Sequence, residues 1–426
     1  MKRQVFYILL FIPVFTSCLE SPEMTTGIVN GKEKPTVISG QTEIPLDGAL
    51  LFQGEIVSKG KSEIIEKGFY WSTVSQNPDS TDNIITLNAN TNIFSYELKN
   101  AKGEKTYYWR AFARNSFGFD YGGVQSCNTP EIWEVKQELP ANSRGRGAIS
   151  LYNNKIYMTC GQLERGNIYT NSTWIYDIET KLWKEAATFT GESRTEPVIF
   201  SVEDMTFVGT GIQAYGYAHK DFYRYNNTLD NWTKIDMPED FEARYGSVAF
   251  SLNGKGYVVG GYSYQSGILN EVWQYALSTT DGLWTKMDND FPFNFYLGIS
   301  ISGNNRCFVG FGVTSETRRT LWEYDDETDS WEMFITLPDE VGRTIYSGVI
   351  IQNSMYIVDE KNIIWTLDMD DETKTWKKKA NLPLEFLNVD GEGGFQNMLT
   401  SGNSNSIYVG LGFSKYLYEY RPLWDN

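Results

Sequence analysis

The sequence predicts an all-β protein in which a small β-sandwich precedes a ring of six four-stranded sheets. Three observations carry this reading. Tryptophans recur at Trp133, Trp183, Trp232, Trp284, Trp331, Trp376 and Trp424, roughly fifty residues apart. A second aromatic series, Tyr157, Phe207, Tyr257, Phe308, Tyr356 and Tyr408, keeps the same period, and Gly161, Gly211, Gly261, Gly312 and Gly412 follow five of its members; the fifth repeat has Glu360 instead. Composition agrees, with 13 Trp, 27 Tyr, 24 Phe and 38 Gly. Long amphipathic helical runs are lacking, so short aromatic strands between Gly, Asn and Asp turns are the natural form.

Residues 1–17 read as a signal peptide. "MKRQ" is basic, "VFYILLFIPVF" is apolar but too short to span a bilayer, and "TSC" supplies small residues at a cleavage point. Placing Cys18 directly after the cut resembles the lipobox of bacterial lipoproteins, although Phe15 departs from the usual leucine. The resemblance implies acylation at Cys18, each buried methylene adding ~0.8 kcal/mol of membrane retention. An ordinary cleaved signal is the alternative. The polar segment 18–34 is expected to be a linker, and the localisation so implied is an outer-membrane lipoprotein, at the cell surface or on the periplasmic face. Cys127, Cys160 and Cys307 remain, an odd number without paired spacing, and predict buried free thiols.

Residues 35–129 alternate apolar and polar residues in "GALLFQGEIVS", "IIEKGFYWST" and "KTYYWRAFARN", which predicts a β-sandwich. The run "TYYWRAFARNSFGFDYG", with "EKGFYWS" before it, resembles fibronectin type III-like modules of bacterial surface lipoproteins. The resemblance implies that Tyr107, Trp109 and Phe112 are core and that the module is a spacer.

From residue 130 each period holds a strand, a tight turn and an aromatic strand ending near glycine, then an outer strand and a strand opening on tryptophan. The turn formers Asn154, Asp204, Gly254, Asn305, Asn353 and Asn405 stand three residues before each aromatic, and Asn253-Gly254 is a strong hairpin signal. "YVVGGYS" carries the double glycine in full. Residues 130–426 thus resemble kelch repeats, which implies a six-bladed kelch-type β-propeller. A ring must close, and "IWEVKQEL" (132–139) is expected to supply the outer strand of the sixth blade.

Thirteen residues before each glycine-strand aromatic stand Arg144, Arg194, Arg244, Phe295, Arg343 and Phe395, with Arg146 two residues further on. The kelch frame puts this position at the turn entering the innermost strand, so these side chains are expected to ring one mouth of the channel. Guanidinium forks suit carboxylate, sulfate or phosphate, and the phenylalanines offer faces for a sugar. The alternative is that such arginines bond neighbouring loops and hold the ring together. Tyr215, Tyr217, Tyr262 and Tyr264, in loops after the glycine strands, suit carbohydrate stacking or packing between blades. The Asp-rich turns match no metal-ligand pattern and are explained by turn chemistry; no cofactor is expected.

The net charge of −17, from 37 basic and 54 acidic residues, argues against a nucleic-acid partner. One histidine, His219, cannot complete the copper site of galactose oxidase-like kelch enzymes. The leading expectation is a lipid-anchored binding protein that captures a glycan or other small anionic ligand at the mouth, similar to the glycan-capturing lipoproteins of polysaccharide-utilisation systems. The sialic acid mutarotase, another kelch relative, implies an enzymatic alternative in which an arginine clamp works with an acid and a base; no carboxylate stands out as that base. Adhesion to an envelope protein through the same face is the third reading.

Overall fold

The computed structural model describes residues 33–42, 44, 48–88, 90–163, 168–213, 216–277, 282–383, 397–399 and 405–425. The signal segment and Cys18 lie outside them, as do Tyr215 and Phe395.

Two sheets form the N-terminal β-sandwich. One orders Thr36–Ser39, Leu50–Ser58 and Ile93–Leu98; the other orders Asn83–Leu87, Glu66–Ser72, Thr106–Asn115 and Gly118–Tyr121, with Gln125–Asn128 also paired to Thr106–Asn115. Alternation drives the packing. Tyr107, Trp109, Ala111 and Ala113 point between the sheets, where Trp109 stacks on Phe52 at 4.8 Å and meets Phe69 edge-on at 5.5 Å. Phe112 is also fully buried, but it has the opposite parity and stacks on Tyr70 at 4.5 Å on the outer face.

Six four-stranded sheets follow. In blade one the order from the axis outward is Ala148–Tyr152, Lys155–Thr159, Thr173–Asp177 and Leu182–Ala186, all antiparallel. In blades one to four the tyrosine of the third strand pairs with the tryptophan of the fourth: Tyr176 with Trp183, Tyr225 with Trp232, Tyr275 with Trp284 and Tyr324 with Trp331. Asp230 and Asp329 cap this pairing by accepting the Tyr225 and Tyr324 hydroxyls at 2.7 and 2.8 Å.

The sixth blade takes its outer strand, Trp133–Val135, from the start of the ring, beside Leu417–Tyr420 from its end. Trp133 stacks on Tyr420 at 4.4 Å and so fills the sixth tryptophan place. Trp424, counted in the series by its spacing, has a different role. It lies in a 3-10 turn, Pro422–Trp424, and buries itself in the core of the sandwich.

Six apolar clusters occupy the six seams between neighbouring blades. Tyr157, Phe189, Tyr225 and Trp232 join blades one and two, and Ile156, Tyr176, Tyr408 and Leu417 join blades one and six. The glycine column adds hydrogen bonds: the amides of Gly161, Gly211 and Gly261 donate to the carbonyls of Arg194, Arg244 and Phe295 in the next blade, at 2.8–2.9 Å. Gly211 must be glycine, because its φ is +95° and a Cβ would sit 2.7 Å from the Thr195 carbonyl.

Candidate functional site at the channel mouth

The innermost strands surround a channel lined by Ser150, Ser201, Ser251, Ser300 and Ser347, with a cavity of about 310 Å³. Each strand enters from the mouth through the turn that carries the arginine column.

Three of those arginines do not line the opening, which corrects the expected ring. Arg144, Arg194 and Arg244 are at most 1% exposed. Arg194 donates to Asp221 Oδ1 at 2.5 Å and to the Thr210 carbonyl at 3.1 Å, with its guanidinium over Phe189. Arg244 repeats this with Glu271 at 2.7 Å, the Gly260 carbonyl and Phe241. In blade one the partner is Ser172, through its carbonyl at 3.0 Å and hydroxyl at 2.9 Å. Burial without a carboxylate brings Arg144 down to about 10. These guanidiniums brace the second and third strands of their own blades, and Phe295 joins the seam between blades three and four. Among the described residues of this column only Arg343 is exposed; its amide donates to Glu360 Oε1 at 2.8 Å.

The groups that do meet at the mouth stand two residues further along. Arg146, Glu196, Gly246 and Leu297 occupy equivalent places, and all four adopt left-handed backbone with φ between 49° and 64°. Such strain in non-glycine residues gathers at functional sites. Neighbouring turns are stitched together: the Glu196 amide donates to the Arg146 carbonyl at 2.7 Å, and the Leu297 amide to the Gly246 carbonyl at 2.8 Å. This arrangement sets the Arg146 guanidinium against Glu196 in an ion pair.

Glu196 is unusual. Its side chain is 9% exposed, and Oε2 is buried without a hydrogen-bond partner. Burial raises its pKa above the ordinary carboxylate value, and Arg146 offsets only part of that. Its charge reaches Tyr245 and Tyr296, whose pKa values are raised first by burial and also by Glu196.

A tyrosine cluster walls the same place. Tyr245 lies 5.6 Å from Tyr262, 6.0 Å from Tyr264 and 5.6 Å from Tyr296, ring centre to ring centre. Of the loop tyrosines, Tyr217 and Tyr264 are 70% and 59% exposed, while Tyr262 is half-buried. His219 sits beside the cluster in the blade-two loop. Its Nδ1 is 3.9 Å from Asp221, its Nε2 is buried without a partner, and burial together with Arg194 lowers its pKa.

An arginine, a carboxyl group whose pKa burial raises and an aromatic wall can together hold an anionic, hydroxylated molecule and move a proton on it. Glu196, Tyr245 and Tyr296 were missed in the sequence. The signal was present: Arg146 occupies the column two residues after Arg144, and the same column in the second blade is Glu196.

Comparison with known proteins bears on this geometry. A 144-residue stretch is 29% identical to the N-acetylneuraminate epimerase of Pasteurella multocida (strain Pm70), covering 32% of this chain and 36% of that enzyme. The match therefore spans little more than a third of the relative's length. The solved structure of YjhT has the same fold, with a TM-score of 0.51 at 16% identity over 66% of this chain and 95% of that one. The KLHDC2/KLHL20/DRC7 Kelch-repeats domain matches residues 146–358, half of the sequence, from the left-handed turn at Arg146 to the second strand of blade five. The repeat that writes the blades is the repeat of that domain, and the chain belongs to the kelch-repeat family.

Proposed function

We propose that the mouth takes a small acidic sugar and exchanges its anomers, with Arg146 holding the sugar's carboxylate and Glu196 moving the proton. The observation that carries this reading is the buried, unpartnered Oε2 of Glu196 beside Arg146. The likeness to an N-acetylneuraminate epimerase supports an acidic sugar as the ligand class.

Anomer exchange requires the ring to open. A proton must reach the ring oxygen as the bond between it and the anomeric carbon breaks, and one must leave the anomeric hydroxyl, whose oxygen becomes a carbonyl. Reclosure on the other face reverses both transfers, so no proton is gained or lost. Burial raises the Glu196 pKa while Arg146 opposes it, and once the sugar's carboxylate takes over Arg146 the protonated carboxyl can give the first proton and take back the second. The exposed Tyr217 and Tyr264 favour a second reading, capture of the sugar without turnover, since open rings at a rim contribute binding but no proton transfer.

Anomer exchange of N-acetylneuraminate, followed by NMR, tests both readings. The wild type should accelerate exchange, and Glu196→Gln should slow it by about 10²–10⁴-fold while still binding the sugar. Unaccelerated exchange with saturable binding would leave only capture. An unchanged rate in Glu196→Gln would remove Glu196 from the chemistry.

The N-terminal signature at Met1–Cys18 supports lipid anchoring in the cell envelope, and the two packed antiparallel sheets of the sandwich, of three and five strands, support a fibronectin type III-like spacer. Among the described residues no helix is long and apolar enough to cross a membrane.

A further inference from the structure

On the face opposite the mouth, the turn at Gln352 and Asn353 in blade five approaches the sandwich, and a cavity of about 400 Å³ opens between them. Three ammonium groups line it: Lys99 from the sandwich, and Lys377 and Lys379 from the outer strand Lys377–Asn381. Lys99 and Lys377 are exposed; Lys379 is half-buried and donates to the Asp425 main-chain carbonyl.

None of the three forms an ion pair among the described residues. At Lys136, Arg194, Arg244, Arg306 and Arg421 this acidic chain supplies a carboxylate to a buried or partly buried cation, whereas Arg144 and Lys67 are met by the neutral oxygens of Ser172 and Thr91. Asp368 lines the same cavity but is engaged in its own turn, accepting from the Asp370 amide at 3.1 Å and the Asn353 side chain at 3.4 Å. Burial lowers the pKa of Lys379, with Asp425 opposing only in part. Three ammonium groups against the carboxylates of Glu97 and Asp368 leave an excess of positive charge that a bound anion would offset.

Glu97, an exposed carboxylate on the sandwich strand, lines it too, and the other polar lining is hydroxyl and amide. Tyr356, Thr366 and Ser354 share hydrogen bonds, and Asn100 and Gln352 stand at the rim. Such groups suit the hydroxyls of a polyol, and the volume lies within the ~300–1,000 Å³ of small-molecule sites. We propose that this cavity is a second ligand site for a small anionic polyol, a sugar carboxylate or sugar phosphate, whose anionic group bridges Lys99 on the sandwich to Lys377 and Lys379 on blade five. It is independent of the mouth, lies on the other face and uses none of its residues.

Calorimetric titration of the full chain tests it, in an Arg146→Gln background so that the mouth adds no anion binding. Glucuronate, glucose 6-phosphate and glucose are the probes, at matched ionic strength. At least one anionic probe should saturate a single site while glucose does not, and which one binds identifies the anion. Lys377→Gln with Lys379→Gln should weaken binding about tenfold or more. Lys99→Gln, in the exposed turn after Ile93–Leu98, should weaken it as well and serves alone if the double variant misfolds. The proposal is overturned if neither anion saturates, if glucose binds equally well, or if the Lys→Gln variants keep full affinity.

Discussion

Arg194 and Arg343 stand at the same place in their repeats, yet one is sealed inside its blade and the other faces water. The difference lies in residues far along the chain. Arg144, Arg194 and Arg244 find Ser172, Asp221 and Glu271 at separations of 28, 27 and 27 residues. In blade five, Asp359 is fully buried and is occupied by the Gly342 amide at 3.0 Å and the Trp365 indole at 2.9 Å, away from Arg343. The arginine column was legible in the sequence because its period is constant. Its orientation was not, because that depends on a polar partner half a repeat away whose identity varies. Arg194→Ala should therefore cost about 3–5 kcal/mol in chemical denaturation, since it leaves Asp221, largely buried, without its counter-charge. Arg343→Ala should stay within about 0.5 kcal/mol of the wild type. Equal losses in the two variants would contradict this division between bracing and exposed arginines.

At the scale of elements, the period of the tryptophans made the blade count and the ring closure readable. What the spacing did not carry is the ion network that latches the closing strand. Lys136, on the segment after Trp133–Val135, is 4% exposed in its side chain and pairs with Glu134 at 2.7 Å and Glu419 at 2.5 Å; Arg421 also holds Glu134 and Glu419. Burial works to raise Glu134, but hydrogen bonds from Lys136 and Arg421 and their charges bring it from 4.5 down to about 2. A carboxyl whose folded pKa is depressed stabilises the fold above its unfolded value and ceases to do so as pH falls through the folded one. The latch should therefore be at full strength above pH 4.5 and weaken between 4.5 and about 2. Melting temperature measured across that window should fall less steeply in Glu134→Gln than in the wild type. Parallel slopes would show that Glu134 does not couple closure to pH.

For the whole molecule, the sequence suggested two units in line, a sandwich as spacer and a propeller as reader. The ends of the chain tie them more closely than a tether does. After the sixth blade the chain turns through Pro422–Trp424 and buries Trp424 in the apolar cluster of the sandwich, against Gly103. The Gly103 amide donates to the Trp424 carbonyl at 2.8 Å, and a Cβ on Gly48 would meet the Leu423 carbonyl at 2.4 Å, so the two surfaces are flush. Trp424 escaped the sequence reading because its spacing imitates the blade tryptophans, while its environment is set by a unit more than three hundred residues earlier in the chain. Its consequence is cooperative unfolding. A buried tryptophan truncated to alanine costs about 3–5 kcal/mol, charged here to the sandwich and to the seam together. In calorimetry the wild type should unfold in one coupled transition, and Trp424→Ala should split off an earlier one belonging to the sandwich, with hydrogen exchange rising in the strand Thr106–Asn115 before it rises in the blades. A single transition that merely shifts downward would mean that the seam is held by other contacts and that Trp424 acts only as local packing.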